Sequence, residues 1–196
     1  MLQLTDLELG YPGHRVVAGL TARLAPGVTW VQGGEGSGKT TLLRTLAGEL
    51  APLGGRIVGP RIGTWWQHPR ADAPAQPTPR EWLAAQVPQW NHWNVAAQHT
   101  HEAGFALQAH LDKPWIALST GSRRKVLLTG ALSCGAPLVL IDEPTAALDA
   151  PSIRHLCEAL AVLAEGPACV VVADHVAPPG VPLAGVIDLD AVSAPR

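Results

Sequence analysis

The chain has 196 residues, of which 47% are apolar and 15% charged, enough apolar material for one domain with a substantial core. Its formal net charge of −2 lacks the basic excess of a general nucleic-acid binder, so no nucleic-acid partner is expected. The uncharged stretch over residues 126–141 is interrupted by Gly130, Gly135 and Pro137, which argues against a membrane span.

The opening MLQLTDLELG carries acids and no basic region, unlike a secretory signal. Leu2, Leu4, Leu7 and Leu9 predict an edge strand with a small irregularity, and VTWVQ (residues 28–32) predicts a short strand ending at glycines. Then comes GGEGSGKTT (residues 33–41), where Gly33, Gly38, Lys39 and Thr40 fill the pattern G-x-x-x-x-G-K-[ST]. The pattern lies between a predicted strand and a predicted helix, the context in which it means phosphate binding. Glycines let the backbone wrap a phosphate chain with successive N–H groups inward, and the helix start adds positive dipole. Gly33, Gly34, Glu35, Gly36, Ser37, Gly38, Lys39, Thr40 and Thr41 are therefore the candidate nucleotide-binding residues, with Lys39 reaching the β- and γ-phosphates and the Thr40 hydroxyl on Mg²⁺. Leu42, Leu43, Leu46 and Leu50 share one face of the helix that follows.

IGTWWQ (residues 62–67) predicts another strand, closed by Gln67, whose amide can reach Mg²⁺ or water. The next segment is rich in proline. Within it TPRE (residues 78–81) is a capping box with proline at the first helical position, so a short helix starts there, and a second helix is expected within residues 91–110. Trp65, Trp66, Trp82, Trp90, Trp93 and Trp115 surround this region. Packing in a small helical subdomain accounts for most of them, and a partner-binding groove that includes Trp82 or Trp90 is the competing expectation. The histidines here lack carboxylate or cysteine companions at ligand spacing, and Cys134, Cys157 and Cys169 are expected as free thiols.

LSTGSRRKV (residues 118–126) places three cations at a helix start, against the helix dipole. They are solvated surface residues, or the turn holds an anion. A helix is predicted over residues 122–133. PLVLIDEP (residues 137–144) reads as a buried parallel strand closing on acids. Asp142 is a candidate to reach Mg²⁺, and Glu143 to act as base for an attacking water. Pro151 opens a helix that buries Ile153, Leu156, Leu160 and Leu163 and ends at Gly166. ACVVVADH supplies a further buried strand with His175 just past its carboxyl end, where ligands of parallel sheets bind, and GVIDLD the last strand. Alternating strands and helices argue an α/β core with a mostly parallel sheet.

The order GGEGSGKTT, Gln67, LSTGS, LVLIDEP, AALD and His175 resembles the ATP-binding cassette (ABC) ATPase family over nearly the whole chain. The resemblance implies a P-loop NTPase forming a single domain over residues 1–196. It would have an N-terminal antiparallel β portion and a helical insert at about 68–117, ending at the signature turn 118–122. It implies ATP and Mg²⁺ as cofactors, with Glu143 as catalytic carboxylate, His175 as γ-phosphate switch and Gln67 as Mg²⁺ sensor. Tyr11 would stack on adenine, and Asp142 and Thr40 would serve the metal. In similar proteins two cassettes pair head to tail. Ser119 and Gly121 would then meet the ATP of a second ABC ATPase subunit, identical or different, with the cations adding field toward it. Asp149 would lie in the loop crossing that interface. An integral-membrane permease subunit is the further implied partner, and the chain would sit in the cytoplasm at the inner membrane face. Thr120 and Ser122 depart from the family signature, and the β-branched Thr120, unsuited to positive φ, is expected to loosen the trans contact. Lys125 and Ala147 replace the usual Arg and Ser. The compact length is similar to the ABC subunits of bacterial haem-export and cytochrome c maturation systems. The competing classes are a soluble ABC ATPase of DNA repair or translation, which carries long arms or fused cassettes, and a small-molecule P-loop kinase, which does not account for LSTGS or His175.

Overall fold

A computed structural model of the chain describes residues 1–59, 63–68 and 77–192. Its centre is a five-stranded, all-parallel sheet in the order β5-β6-β7-β3-β8. The strands are β3 (Gly27–Gln32), β5 (Thr64–Trp66), β6 (Leu138–Asp142), β7 (Cys169–Ala173) and β8 (Leu183–Asp188). β6 and β7 are buried at every residue, which is why they read as unbroken apolar runs instead of alternating ones. Of the predicted strand at residues 62–67, Thr64–Trp66 forms, and Ile62 lies outside the described residues.

Side-chain alternation divides the core between the two faces of this sheet. One face carries Val28, Trp65, Val139, Ile141, Val170 and Val172 under helices α2 (Pro79–Gln86), α4 (Thr120–Ser133) and α5 (Ala150–Ala164). The other carries Val31, Leu138, Leu140, Val171 and Ile187 under α1 (Lys39–Leu46) and a second sheet. That second sheet is antiparallel, with order β2-β1-β4 from β1 (Leu2–Tyr11), β2 (His14–Leu24) and β4 (Gly54–Val58). The N-terminal strand is thus central and not an edge. Its irregularity is real: the register shifts at Leu4/Leu7 and Leu7/Leu9, with Asp6 at φ 48°. The shift keeps all four leucines buried across a strand of ten residues.

Between β5 and α4 stand α2 and α3 (Val95–Gly104). Thr78 caps α2, accepting from Glu81 N–H at 3.3 Å as the TPRE box predicts, while the Glu81 carboxylate accepts from the Thr78 hydroxyl at 3.0 Å. The tryptophans form one packed group: Trp65 lies 6.1 Å from Trp82, 5.5 Å from Trp90 and 5.9 Å from Trp93, and Trp82 lies 6.0 Å from Trp115. Trp82 is 3% exposed and continuous with the core beneath the parallel sheet, so it is not free to line a partner groove; Trp90 packs against the same core, partly buried. A second seam ties α3 to α5, where His101 Nδ1 and His155 Nε2 lie 3.1 Å apart.

Trp82→Ala should cost about 3–5 kcal/mol in denaturant unfolding, the range for a buried tryptophan truncated to a cavity. The His101–His155 seam gives a pH signature. Burial first, then the neighbouring His155, push His101 down to about 4, while the unfolded chain takes up that proton near ~6.5. Stability from this seam is complete above that unfolded value and is lost as pH falls toward 4, because only the unfolded state gains the proton. Urea midpoints should drop between pH 7 and 5, and His101→Gln should shrink that drop.

Candidate functional site

The carboxyl ends of β3, β6 and β7 converge at one edge of the parallel sheet, the edge where such folds bind ligands. The loop 33–38 leaves β3 and ends at Gly38, which caps α1 at φ 99°. Only glycine suits that position: a Cβ there would fall 2.9 Å from Val17 and 3.0 Å from Val16. The buried Lys39 turns back over the loop, and its ammonium donates to the carbonyls of Gly33 (2.6 Å) and Gly34 (2.9 Å). Gly34 N–H donates in turn to the Asp190 carboxylate at 3.0 and 3.1 Å.

β6 delivers Asp142 beneath this loop. Thr40 Oγ1 donates to Asp142 Oδ2 at 2.7 Å, whereas Oδ1 is buried without a hydrogen-bond partner among the described residues. Burial raises the Asp142 pKa, opposed by the Thr40 hydrogen bond. Glu143 follows in a left-handed conformation, φ 46°, its N–H donating to Ala173 O of β7 at 2.7 Å. His175 leaves the end of β7, and its N–H donates to Asp174 Oδ1 at 2.7 Å. Asp174 is 6% exposed, and its other oxygen accepts from the Thr145 hydroxyl at 2.7 Å. The segments after β6 and β7 are thereby tied together.

An open cleft of about 310 Å³ results, lined by Glu35, Gly36, Ser37, Gly38, Lys39, Thr40, Thr41, Glu143 and His175, with Tyr11 and His14 at its rim. Gly33 and Gly34 lie behind Lys39 as its carbonyl partners. Tyr11 is exposed, and its hydroxyl accepts from Arg44 at 3.4 Å. Gln67 is not among the residues lining this cleft; it borders a separate small hollow with Arg124, Asp142 and Pro144.

Ser119 and Gly121 also stand apart from the cleft, at the start of α4. Ser119 caps the helix, accepting from Ser122 N–H at 3.1 Å. Gly121 abuts the turn before α5: a Cβ would fall 2.5 Å from Ala147 O. Thr120 is the first helical residue and is not among the residues with positive φ, so its β-branch brings no left-handed strain. The three cations are engaged within the subunit. Arg123 donates to Trp115 O at 3.0 Å, Arg124 to the carbonyls of Asp142 (3.1 Å) and Glu143, and Lys125 to Asp149 Oδ2 at 2.8 Å. Free solvation does not describe them. Lys125, then Ser152, hold the Asp149 carboxyl below its ordinary range, while Asp149 Oδ1 caps α5 through Ser152 N–H at 2.9 Å.

Residues 18–146 match the sequence profile of the ABC transporter family. The chain is an ABC transporter ATPase. Within the family it is 35% identical over 185 residues to the cytochrome c biogenesis ATP-binding export protein CcmA of Rhodobacter capsulatus, covering 90% of this chain and 81% of the relative. A solved chain of Pyrococcus furiosus, described as an ABC transporter ATP-binding protein, superposes with TM-score 0.81 at 22% identity, covering 98% of this chain and 99% of that one. A dimeric bacterial ABC transporter cassette superposes with TM-score 0.71 at 18% identity, covering 90% and 88%. This ABC ATPase is therefore a nucleotide-hydrolysing transporter subunit, and neither the soluble-ABC nor the kinase reading is retained. Among its described residues no helix is long and apolar enough to cross a membrane.

Sequence reasoning passed over Asp174 and Asp190, and singled out Arg124 without foreseeing its partners, the Asp142 and Glu143 carbonyls. The two acids stand beside the carboxyl ends of parallel strands, and the runs VVVAD and VIDLD carried their signal. Gly121→Ala should displace the Ala147 turn, since the obstacle is backbone and cannot swing away. We expect ATP turnover to fall about tenfold or more while nucleotide binding by the same subunit stays within a few fold, read by phosphate release beside a fluorescent-nucleotide titration.

Proposed function

We propose that this chain binds ATP with Mg²⁺ in the cleft above Lys39, hydrolyses it there, and drives a separate integral-membrane permease subunit. The observation carrying this reading is the Thr40–Asp142 pair. A hydroxyl and a carboxylate meet at 2.7 Å beneath the phosphate loop, with one carboxylate oxygen buried and unpartnered. Hard oxygen donors of this kind fit Mg²⁺, and an unpaired buried carboxylate oxygen is costly unless a cation or donor satisfies it. The ion, when bound, offsets phosphate charge and aligns the phosphates for in-line attack.

Lys39 exchanges its loop carbonyls for the β- and γ-phosphates, and the loop N–H groups hold the phosphate chain. Tyr11, at the exposed rim, stacks on the base. Glu143 faces the cleft and accepts a proton from the attacking water, whose oxygen bonds to the γ-phosphorus as the bond from that phosphorus to the ADP oxygen breaks. His175, held at its backbone by Asp174, contacts the γ-phosphate and reports its loss. Gln67 acts from the far side of Asp142, linking the metal to a helical subdomain within residues 68–117.

Ser119 and Gly121 meet the nucleotide of a second cassette paired head to tail. Their separation from the cleft of their own subunit supports that role, as does the likeness to a dimeric cassette. The resemblance to CcmA, a cytochrome c biogenesis export protein, supports export through a cytochrome c maturation system, with this subunit at the inner membrane face.

Purified protein with Mg²⁺ and ATP should release phosphate, and Glu143→Gln should reduce release at least a hundredfold while running as an ATP-dependent dimer in size-exclusion chromatography. A Glu143→Gln variant as active as the native chain removes Glu143 as the base. A variant that stays monomeric with ATP removes the head-to-tail site.

A further inference from the structure

Arg124 is the buried member of the three-cation run, 9% exposed although it carries a full charge. From the first turns of α4 its guanidinium donates through one nitrogen to two successive carbonyls, those of Asp142 and Glu143. They are the last carbonyl of β6 and the first of the turn beyond it. At this point Glu143 adopts φ 46°, a conformation that a non-glycine residue keeps only where its surroundings impose it. The peptide is gripped from both sides, because Glu143 N–H donates to Ala173 O at 2.7 Å while its carbonyl accepts from Arg124.

We propose that Arg124 is a positioning residue for ATP hydrolysis. It fixes the Asp142–Glu143 backbone so that the Glu143 carboxylate faces the phosphate-loop cleft, and it ties the signature helix to the hydrolytic carboxylate of the same subunit. The proposal rests on the reading of Glu143 as the base. Charge-assisted donation to two adjacent carbonyls is stronger and more directional than a neutral contact. A carboxylate misplaced by about 1 Å costs on the order of a hundredfold in rate. Gly121 against Ala147 and Lys125 against Asp149 fix the same helix start on either side of Arg124, so movement at the signature turn is passed to Glu143.

The experiment is steady-state phosphate release with Mg²⁺-ATP for the native chain, Arg124→Met, Arg124→Lys and Glu143→Gln, with fluorescent-nucleotide affinity and thermal midpoints on each. Arg124→Met keeps the stem and removes the donors. It should lower kcat by about tenfold to a hundredfold with KM within about threefold, and Arg124→Lys, which restores one charged donor, should recover part of the loss. If Arg124→Met turns over like the native chain while Glu143→Gln is inactive, the positioning role is wrong and the base assignment stands. If Glu143→Gln is as active as native, or native releases no phosphate, the underlying reading fails. If both Arg124 variants lose nucleotide affinity and thermal stability together, or neither folds, Arg124 is a fold residue and the proposal is overturned.

Discussion

The hydrogen bond from Thr40 to Asp142 joins residues 102 positions apart in the chain, and the chemistry of the site hangs on it. A carboxylate at 6% exposure needs partners, and its second oxygen has no hydrogen-bond partner among the described residues. The parallel sheet brings the two residues together: β3 and β6 both flank β7, so the loop leaving β3 and the acid ending β6 reach the same edge. Every other group of the cleft takes its position from this edge. Lys39 lies one residue before Thr40, Glu143 one after Asp142, and His175 just past the end of the strand between them.

The start of α4 carries the second constraint. Three cations at a helix N-terminus oppose its dipole, yet each meets an acceptor of its own subunit: the Trp115 carbonyl, the Asp142 and Glu143 carbonyls, and the Asp149 carboxylate. Each contact joins α4 to a different neighbour, the segment before it, the end of β6 and the cap of α5. The Lys125–Asp149 pair, open to solvent on the Asp149 side, counts for little as a single ion pair. Its value lies in geometry, since Asp149 spends one oxygen on Lys125 and the other on the first turn of α5.

Much of this was legible in the sequence because the signals are local. The phosphate loop, the acids ending LVLI and the capping boxes are fixed by a few adjacent residues, and buried parallel strands announce themselves as apolar runs. The losses came where pairing partners are distant. Leu2, Leu4, Leu7 and Leu9 mark a strand, but only the return of β4 to its free side makes it central. Gln67 directly follows its strand as expected, and it borders a hollow with Asp142, Arg124 and Pro144, neighbours from other elements that its own strand does not specify. The tryptophans were legible as packing of a helical subdomain, but not as continuous with the core beneath the sheet, because burial of Trp82 depends on Trp65 arriving from the sheet and Trp115 from the turn before α4. Asp174 and Asp190 act through backbone and hydroxyl partners that no local pattern specifies.

Thr120 shows why a departure from a family pattern has to be weighed in its local geometry. As a loop residue needing positive φ it would be strained and the turn loose. Here it is the first helical residue after the Ser119 cap, where a β-branched side chain is tolerated and the unfolded chain loses freedom that glycine would have had. The substitution therefore brings no left-handed strain and reduces the freedom that folding removes at this turn. Glycine remains at position 121, where the Ala147 carbonyl leaves no room for a side chain. Ser119, Gly121 and Arg124 thus stand on one helix start, and the Asp142–Glu143 backbone is attached to it by hydrogen bonds to Arg124.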